Sequence, residues 1–575
     1  FKTNWESNLR MALVKSLENN GTVLTLRDGF QMAGYQTIDC SGHFPDDLRI
    51  AKATILYEKN ILRIMHQVHY QTSGNKSLDL VFFINGIPVA TAEIKTELTQ
   101  TVQDAIEEYQ TQRKPIEPGT NRKNFLLMYK RGAVVHFAIS EDEIWMCTNL
   151  DGDKPKFLPF NEGNDGHAGN PVKNPNSDEY LTGYFWNKIC RKDNWLRIFH
   201  NFIFEKVEKK EDATGRMRAF YTQLFPRYHQ WDCVMKSIDD VKVNGVGQSY
   251  LIEHSAGSGK TETISWISHE LIRLMGDNGE KLFTSVIVVT DRVGLDTNIK
   301  KTIKQLKKTV GLIEMVGGDG NKKTAGAKSK QLATALHEKR EIIVVTLQTF
   351  PFAMEVIAND AALVGAKFAV LIDEAHSSQE GSFSGKMKAA LKMASDKNKN
   401  LNISGADDDD VTDEDAINAY FAMQQSNHVM PENVSFFAFT ATPKAETKTI
   451  FGRPGDKLDP KTGQPIPESF HLYPMRQAIE EEYILDVLKG FMPYKTAYKL
   501  KEDVVVDKLV DVRIALRTIA KWETHHPTNV MSKAEFIIDH FVKNVASMLG
   551  GQAKAMIVTS SRASVVRYKY AIDAY

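Results

Sequence analysis

Residues 251–264, LIEHSAGSGKTETI, join a short apolar strand to a loop with two glycines and to a helix that opens with Lys260 and Thr261. Glycines let the backbone N–H groups of such a loop turn toward a phosphate at the helix N-terminus. Lys260 can reach the β and γ phosphates, and Thr261 can offer its hydroxyl to Mg²⁺. The spacing differs from the usual G-x-x-x-x-G-K-[ST] because His254 replaces the first glycine. The pattern predicts a nucleotide site, with a plain tight turn as the alternative. The predicted cofactor-binding residues of the loop are Gly257, Ser258, Gly259, Lys260 and Thr261.

A second set of chemical side chains lies in KSLDLVFFINGIPVATAEIKTE, residues 76–97. Two apolar runs flank an Asn-Gly pair, which is a strong signal for a β-hairpin. Asp79 lies near the start of the first strand, and Glu93 and Lys95 lie near the end of the second. Two converging carboxylates can hold Mg²⁺, and Lys95 shares a strand face with Glu93, where it could balance charge on a scissile phosphate. The alternative is three ordinary polar residues on a strand pair.

The register of this hairpin decides whether the carboxylates meet. With a plain two-residue turn, Asp79 falls opposite Ala92, and Glu93 then points to the other face of the sheet. One extra residue, from an odd-length loop or a β-bulge, places all three chemical side chains on one face. We therefore predict the odd register.

Apolar segments that end in polar side chains recur through the middle of the chain. They are VIVVTDRVGLDTN (286–298), IIVVTLQTF (342–350), KFAVLIDEAH (367–376) and FFAFTATP (436–443). Such strands, alternating with helical segments, indicate a parallel α/β sheet that binds its ligand at the edge where the strands end. Asp373 is placed to bind Mg²⁺, and Glu374 to orient and deprotonate an attacking water. Upstream, the amide of Gln230 in FPRYHQ could pair with adenine. Each motif alone also fits a structural role, such as an N-cap acid or a polar turn.

The composition is that of an ordinary globular protein, and its 575 residues suggest about three or four domains. Lys+Arg and Asp+Glu are equal at 72 each, so any contact with DNA must rest on local patches. The cysteines lie far apart without metal-ligand spacing, which suits a reducing cytosol; they are Cys40, Cys147, Cys190 and Cys233. No apolar run approaches the ~18 residues of a membrane span, so we expect a cytoplasmic protein without a membrane partner.

Taken in order, the phosphate loop, T-L-Q-T, DEAH and T-A-T-P resemble the motifs of a DEAH-box superfamily 2 helicase or translocase. The front hairpin resembles the D…E-x-K core of the restriction-nuclease-like superfamily. Together they are similar to the motor subunit of type I restriction-modification enzymes over nearly the whole chain. The resemblance implies an α/β multidomain fold, with a restriction-endonuclease-like nuclease domain followed by RecA-like helicase domains. The expected divisions are a nuclease domain (1–205), a linker (206–218), a first motor domain (219–485) with an acidic insertion near 385–432, and the incomplete start of a second motor domain (486–575).

The same resemblance implies a function. It is an ATP-driven double-stranded DNA translocase with endonuclease activity, which uses Mg²⁺ and works with methyltransferase and specificity subunits. The helix after the hairpin would carry a Gln-x-x-x-Tyr element, in which Tyr109 fits but Ala105 stands at the glutamine position. We expect the arginine that completes ATP hydrolysis to lie beyond residue 575. Two alternatives stay open: a stand-alone helicase–nuclease of DNA repair, and a motor whose front domain binds DNA without cutting it.

Overall fold

The apolar runs of the sequence form two main sheets in the computed structural model, and both sheets lie in one unit, residues 1–484. Residues 485–575 form a second unit. The structure describes residues 4–35, 37–45, 50–71, 74–96, 100–172, 179–211, 217–290, 302–303, 313–316, 325–346, 349–373, 432–460, 462–486, 527–559 and 561–575. The acidic insertion predicted near 385–432 falls outside these residues except for Glu432.

The front part of the first unit is built around a six-stranded sheet. Its helices are α1 (Trp5–Asp28), α2 (Ala51–Glu58), α3 (Val102–Thr111) and α4 (Lys192–Arg197), with π-helical segments at Phe185–Ile189 and Ile198–Phe202. Its strands are β1 (Leu62–His69), β2 (Ser77–Ile84), β3 (Ile87–Ile94), β4 (Val135–Ile139), β5 (Ile144–Cys147) and β6 (Leu158–Pro159). The strands pair in chain order, and β3 with β4 is the parallel pair in an otherwise antiparallel sheet.

The β2–β3 hairpin has the odd register that the sequence analysis predicts. At the turn, Ile84 pairs with Ile87, as in a plain two-residue hairpin. Val89 is then an extra residue on β3, and beyond this bulge the pairing is shifted by one. Asp79 consequently lies opposite Glu93 on one face of the sheet. The odd register is confirmed, and a bulge rather than a longer loop produces it.

The two faces of this sheet have different coverings. Helix α3 packs on the face that carries Asp79 and Glu93, where the hydroxyl of its Tyr109 lies 2.8 Å from the hydroxyl of Thr91. The opposite face packs into a core of large aromatic rings, in which Phe137 of β4 lies against Phe185 at 4.9 Å between ring centroids. The chemical side chains therefore project into the layer between the sheet and α3.

The charged run expected to be a linker, residues 206–218, lies mostly within a β-ribbon. Strands β7 (Phe204–Glu211) and β8 (Met217–Leu224) pair antiparallel along their full length. A ribbon satisfies its backbone hydrogen bonds by pairing, so its side chains can be charged and exposed and still belong to a regular element. The division between nuclease and motor near this ribbon stays a prediction.

The rear part of the first unit is an α/β layer structure. Its helices are α5 (Tyr228–Asn244), α6 (Lys260–Arg273), α7 (Ala325–His337), α8 (Phe350–Asn359), α9 (Ala445–Phe451) and α10 (Met475–Glu480). Its strands are β9 (Ser249–His254), β10 (Ser285–Thr290), β11 (Ile313–Met315), β12 (Ile342–Thr346), β13 (Phe368–Ile372), β14 (Val434–Thr440), β15 (Arg453–Leu458), β16 (Pro465–Glu468) and β17 (His471–Tyr473).

Seven of these strands form one sheet in the order β11-β12-β10-β13-β14-β9-β17, and every pair in it is parallel. Strands β10, β12, β13 and β14 are wholly buried, which explains their continuous apolar runs in the sequence. Parallel strands end at one edge, so β9 delivers the glycine loop and β13 delivers Asp373 at that edge. The predicted parallel α/β sheet is confirmed.

The second unit is helical where it is described. It contains α11 (Pro527–His540), α12 (Met548–Gly551) and α13 (Arg562–Ala574), with a π-helical segment at Phe541–Val545. Helices α11 and α13 pack through Val530, Ala534 and Ala571. Residues 554–559, after α12, form no strand, and Met556 there is 86% exposed. A strand needs a partner, and this unit has no other strand among its described residues. Across the described helices of both units, none is both long and apolar enough to cross a membrane.

A substitution of Phe137 tests whether the front and rear parts of the first unit share one hydrophobic core. Its ring contacts Phe160 and Phe185 of the front part and Phe225, which follows the ribbon, with ring centroids 4.9 to 5.9 Å apart. Phe137→Ala should lower the free energy of unfolding by about 3–5 kcal/mol, because the cavity is lined by rings that cannot collapse into it. Urea denaturation followed by tryptophan fluorescence measures the loss. Phe220→Ala, at an exposed ring on the ribbon, is the control and should cost less than about 1 kcal/mol; similar losses for the two variants would contradict the shared core.

Candidate nuclease and nucleotide sites

Asp79 is fixed by contacts to both of its carboxylate oxygens. The backbone N–H of Ile94 donates to its Oδ2 at 2.9 Å, and the amide of Gln67 donates to its Oδ1 at 3.0 Å. Gln67 lies opposite Asp79 on β1, and its backbone is left-handed, with φ of 51°. Gln67, Asp79 and Glu93 thus form one row across three neighbouring strands. Sequence reasoning missed Gln67, because strand pairing with β1 gives no local signal.

Glu93 is nearly inaccessible to solvent and is held by an arginine. Its side chain is 1% exposed, and Arg113 Nε lies 2.6 Å from its Oε1. Burial raises the pKa of Glu93 to about 8; Arg113 opposes that rise, and the carboxylates of Asp79 and Glu108 add to it. A buried carboxylate facing a second carboxylate is a place where a cation is favoured. Asp79 and Glu93 therefore fit a divalent ion in the layer beneath α3.

Lys95 continues the same face of the sheet one step further. Its backbone N–H donates to the carbonyl of Ile139 at 2.9 Å, which keeps the chain in the sheet just after β3. Its Nζ pairs with Glu108 Oε2 at 2.8 Å. Glu108 falls three residues after Ala105, beside the apolar stripe of α3, so helical spacing could have drawn attention to it.

Tyr109 and His136 belong to the packed layer behind these groups. The hydroxyl of Thr91 lies 2.8 Å from the Tyr109 hydroxyl and 2.7 Å from His136 Nδ1. Burial lowers the pKa of His136 to about 3, so this ring is neutral, as expected of a strand histidine. Burial raises the pKa of Tyr109 well above its ordinary value, so its hydroxyl stays protonated.

The glycine loop has the backbone of a phosphate cradle. Gly257 and Gly259 have φ of 76° and 84°, and Gly259 is the N-cap of α6. Lys260 Nζ turns back into the loop and donates to the carbonyls of His254 and Ser255 at 3.1 and 3.2 Å. The hydroxyl of Ser258 is buried without a hydrogen-bond partner among the described residues. The loop therefore combines left-handed glycines, the Lys260 ammonium and the Ser258 hydroxyl, and this combination fits a bound phosphate group.

Gln230 supports this loop from the start of α5. Its Nε2 donates to the carbonyls of Ser258 and Gly259 at 3.3 and 3.1 Å, and its Oε1 accepts from the Arg227 backbone at 2.9 Å. Both ends of the amide are therefore engaged within the chain. Its predicted pairing with adenine stays a prediction, and its observed contacts position the loop backbone.

The remaining predicted nucleotide residues are partly located. Thr261 follows Lys260 in the first turn of α6, and Asp373 directly follows β13 at the same edge of the sheet. The backbone N–H of Asp373 donates to Val289 of the neighbouring strand at 3.0 Å. Glu374 lies outside the described residues.

A chain of buried polar groups lies beneath the loop. His254 Nε2 is 2.8 Å from His471 Nδ1, and His471 Nε2 is 3.3 Å from Asp232 Oδ2. Burial lowers the pKa of His254 well below its ordinary value, and burial also lowers that of His471 against the opposing effect of Asp232. The rings are neutral, so His471 donates to Asp232 and accepts from His254. Asp232 is also paired with Lys188 and Lys236, each at 2.7 Å.

Cys233 lies next to this chain of groups, so a metal site has to be considered. Cys233, His254 and His471 each offer one donor atom, and these atoms lie within 4.8 Å of one another. Ligand nitrogens on a tetrahedral Zn²⁺ with bonds of about 2.0–2.1 Å lie roughly 3.3 Å apart. The 2.8 Å between the histidine nitrogens suits a hydrogen bond instead. We therefore assign these histidines to a hydrogen-bonded support for the loop.

A second buried pair supports the same region. Arg227 donates to Glu481 Oε2 at 2.7 Å and to the Tyr473 hydroxyl at 2.6 Å, and it lies over the ring of Tyr483. Both charged side chains are about 95% buried. Sequence reasoning missed Glu481, which lies 254 positions from Arg227. Contacts at that separation leave no periodic trace in the sequence.

Comparisons with known proteins agree with this arrangement. A model of the type I restriction enzyme R protein N terminus matches residues 31–155, which contain Asp79, Glu93 and Lys95. A model of SWI2/SNF2 ATPases matches residues 229–396, which contain the glycine loop and Asp373. The first match lies over the front sheet, and the second lies over the glycine loop and the parallel sheet.

Two curated relatives are named as endonuclease subunits of type I restriction enzymes. The chain is 22% identical over 546 residues to a Methanocaldococcus jannaschii protein named as the type I restriction enzyme MjaVIIIP endonuclease subunit, a match that covers 90% of this chain and 45% of that protein. It is 21% identical over 517 residues to the type I restriction enzyme HindI endonuclease subunit of Haemophilus influenzae, covering 86% of this chain and 41% of that protein. The chain thus spans less than half the length of these two relatives.

Among solved structures, a fragment of an HsdR subunit of a type I restriction enzyme from Vibrio vulnificus YJ016 matches with 14% identity. That match covers 89% of this chain and 69% of that chain, with a TM-score of 0.32.

The raised pKa of Glu93 gives a pH prediction. A carboxyl whose folded pKa of about 8 exceeds the ordinary 4.5 contributes stability that is complete below about pH 4.5 and is lost as the pH rises through about 8. A divalent ion competes with that proton, so Mg²⁺ affinity should fall about tenfold for each pH unit below about 8. Calorimetric titration of nucleotide-free protein at about pH 6.5 and about pH 9 measures this. In Glu93→Gln the pH dependence should vanish; a wild-type affinity equal at both pH values would contradict the assignment.

Gly259 gives a prediction for the loop. A Cβ at this position would lie 2.4 Å from Gln230 Nε2, on a backbone with φ of 84°. Gly259→Ala must displace Gln230 and strain the loop, so nucleotide affinity should fall by at least about tenfold. Gly245→Ala is a matched control, because Gly245 has φ of 74° and no atom within 4 Å of an added Cβ. Binding of a fluorescent ATP analogue to both variants tests this, and equal affinities would show that the loop does not need Gly259.

Proposed function

We propose that this chain is part of the restriction subunit of a type I restriction-modification complex, an ATP-dependent double-stranded DNA translocase that also cuts DNA. The observation that carries the proposal is the bulge at Val89, since it brings Asp79 and Glu93 together. The same chain carries a phosphate cradle at Gly257–Thr261. A nuclease centre and a nucleotide-driven motor in one polypeptide suit an enzyme that moves along DNA and cleaves it.

In the nuclease centre, Asp79 and Glu93 would hold one Mg²⁺. Such an ion polarises the scissile phosphate and lowers the pKa of a bound water. Ile94 and Gln67 hold the Asp79 carboxylate in place, and Arg113 holds that of Glu93. Lys95 lies on the same face, where its ammonium can balance charge on the phosphate. The catalytic residues proposed for cleavage are Asp79, Glu93 and Lys95.

In the motor, Lys260 would exchange its loop carbonyls for the β and γ phosphates of ATP. Thr261 and Asp373 would hold the accompanying Mg²⁺, and Glu374 would orient the attacking water. The buried pairs under the loop would hold its backbone in the conformation that binds phosphate. Gln230 is the residue proposed for adenine recognition.

The partners follow from the same proposal. Sequence recognition would come from specificity and methyltransferase subunits of the complex, since phosphate and metal contacts such as those proposed here carry no base-sequence information. We infer a cytoplasmic location, where those subunits and DNA are found together.

The two centres should be separable by mutation. In the full-length subunit assembled with its partners, Asp79→Ala should stop plasmid cleavage and leave DNA-stimulated ATP hydrolysis unchanged, because Asp79 lies in the nuclease sheet alone. Lys260→Ala should lower both activities by roughly 10²–10³-fold, since the lost ammonium stabilises phosphate charge and translocation depends on hydrolysis. Agarose-gel cleavage and phosphate release are the measurements.

Matched controls are Asp153→Ala and Lys242→Ala, which remove like charges from exposed positions of each part. Both should behave as wild type. Cleavage that survives Asp79→Ala would favour a front domain that binds DNA without cutting it. Full cleavage and hydrolysis in the absence of the other subunits would favour a stand-alone helicase–nuclease.

A further inference from the structure

The two reactive side chains at the end of β3 are connected by a row of alternating charges on the α3 side. Lys95 Nζ lies 2.8 Å from Glu108 Oε2, and Glu108 Oε1 lies 3.6 Å from the Arg113 guanidinium. Arg113 in turn lies 2.6 Å from Glu93. Glu93 and Lys95 are therefore held from one side by two residues that belong to neither strand of the hairpin.

The backbone of Glu108 is fixed by helix α3. It lies in the last turn of α3, and its carbonyl accepts from the N–H groups of Gln112 and Arg113 at 2.8 and 3.0 Å. The next residue, Tyr109, is fully buried against the sheet and fixes the rotation of the helix. Ala105, one turn earlier, is buried and has no polar group, so Glu108 is the side chain through which this turn of α3 reaches Lys95.

The ion pair with Glu108 is important for Lys95 because the lysine side chain is largely buried. Its side chain is only 11% exposed, so a counter-charge replaces much of the water that an ammonium otherwise holds. A lysine has a flexible four-carbon stem, and without a fixed partner its ammonium occupies many positions. Cleavage requires that ammonium at one place beside the phosphate, within a small tolerance.

We propose that Glu108 is a positioning residue of the nuclease centre, which holds the ammonium of Lys95 on the face shared with Asp79 and Glu93. The inference rests on the proposed nuclease function. Glu108 acts through Lys95 at 2.8 Å and, at the longer distance of 3.6 Å, through Arg113, whereas Asp79 and Glu93 are the proposed metal ligands.

The test uses the full-length subunit in its complex with partners and measures single-turnover cleavage of plasmid DNA. Glu108→Ala should lower the maximal rate constant by about 10–100-fold, as is typical when a supporting partner is lost. The DNA and Mg²⁺ concentrations for half-maximal rate should stay unchanged, because neither ligand is bound by Glu108. Glu108→Asp should recover part of the rate. Glu107→Ala is the matched control, since it removes an exposed carboxylate from the same helix.

A double variant separates positioning from a general structural role. In a Lys95→Ala background, adding Glu108→Ala should cause no further loss of rate, whereas a structural role predicts an additional loss. ATP hydrolysis and the thermal unfolding midpoint report integrity. A shifted Mg²⁺ requirement in Glu108→Ala would make Glu108 a ligand and overturn the proposal, as would a wild-type rate. If Asp79→Ala also cleaves normally, the nuclease function itself fails, an outcome distinct from failure of Glu108 alone.

Discussion

The register of one hairpin is the constraint on which the front half of the molecule depends. Strand side chains alternate, so a shift by one residue exchanges every side chain between the two faces. Val89 supplies that one residue, next to Pro88, which has no N–H to give to a regular ladder. Without the bulge, Glu93 would lie on the face of the sheet opposite to Asp79, where the aromatic core packs. With it, a buried carboxylate, a fixed carboxylate and a lysine share the layer under α3.

The proposed nucleotide site depends on a different feature, a glycine-containing loop that rests on buried polar groups. Its glycines give the backbone left-handed turns, and those turns are held by groups that water does not reach. Gln230 binds the loop carbonyls, the His254–His471–Asp232 chain lies beneath, and the Arg227–Glu481 pair anchors the segment after β17. Removing one member of such a pair leaves an uncompensated buried charge, so these residues act as a unit.

Much of this could be read from the sequence, for physical reasons. Buried parallel strands require continuous apolar runs, so β9, β10 and β12–β14 were predictable, as was the edge at which they deliver Lys260 and Asp373. The odd register was predictable because only that register places Asp79, Glu93 and Lys95 on one face. Whether a bulge or an odd-length loop produces it was not predictable. Gln67, His471 and Glu481 were missed because their partners are distant in the chain, whereas Glu108 could have been found from its helical spacing on α3. The charged run 206–218 predicts a linker, whereas its residues 206–211 and 217–218 pair in the β7–β8 ribbon, because a regular backbone can carry charged side chains without an apolar pattern.

We propose that Asp79 and Glu93 hold one divalent ion between them. Anomalous diffraction from crystals of the full-length subunit soaked in Mn²⁺ would locate such an ion. We expect one anomalous peak in the layer beneath α3, within about 2.0–2.6 Å of an oxygen from each carboxylate, and loss of that peak in Asp79→Ala. No peak there in the wild type, or a peak that touches only one of the two residues, would contradict it.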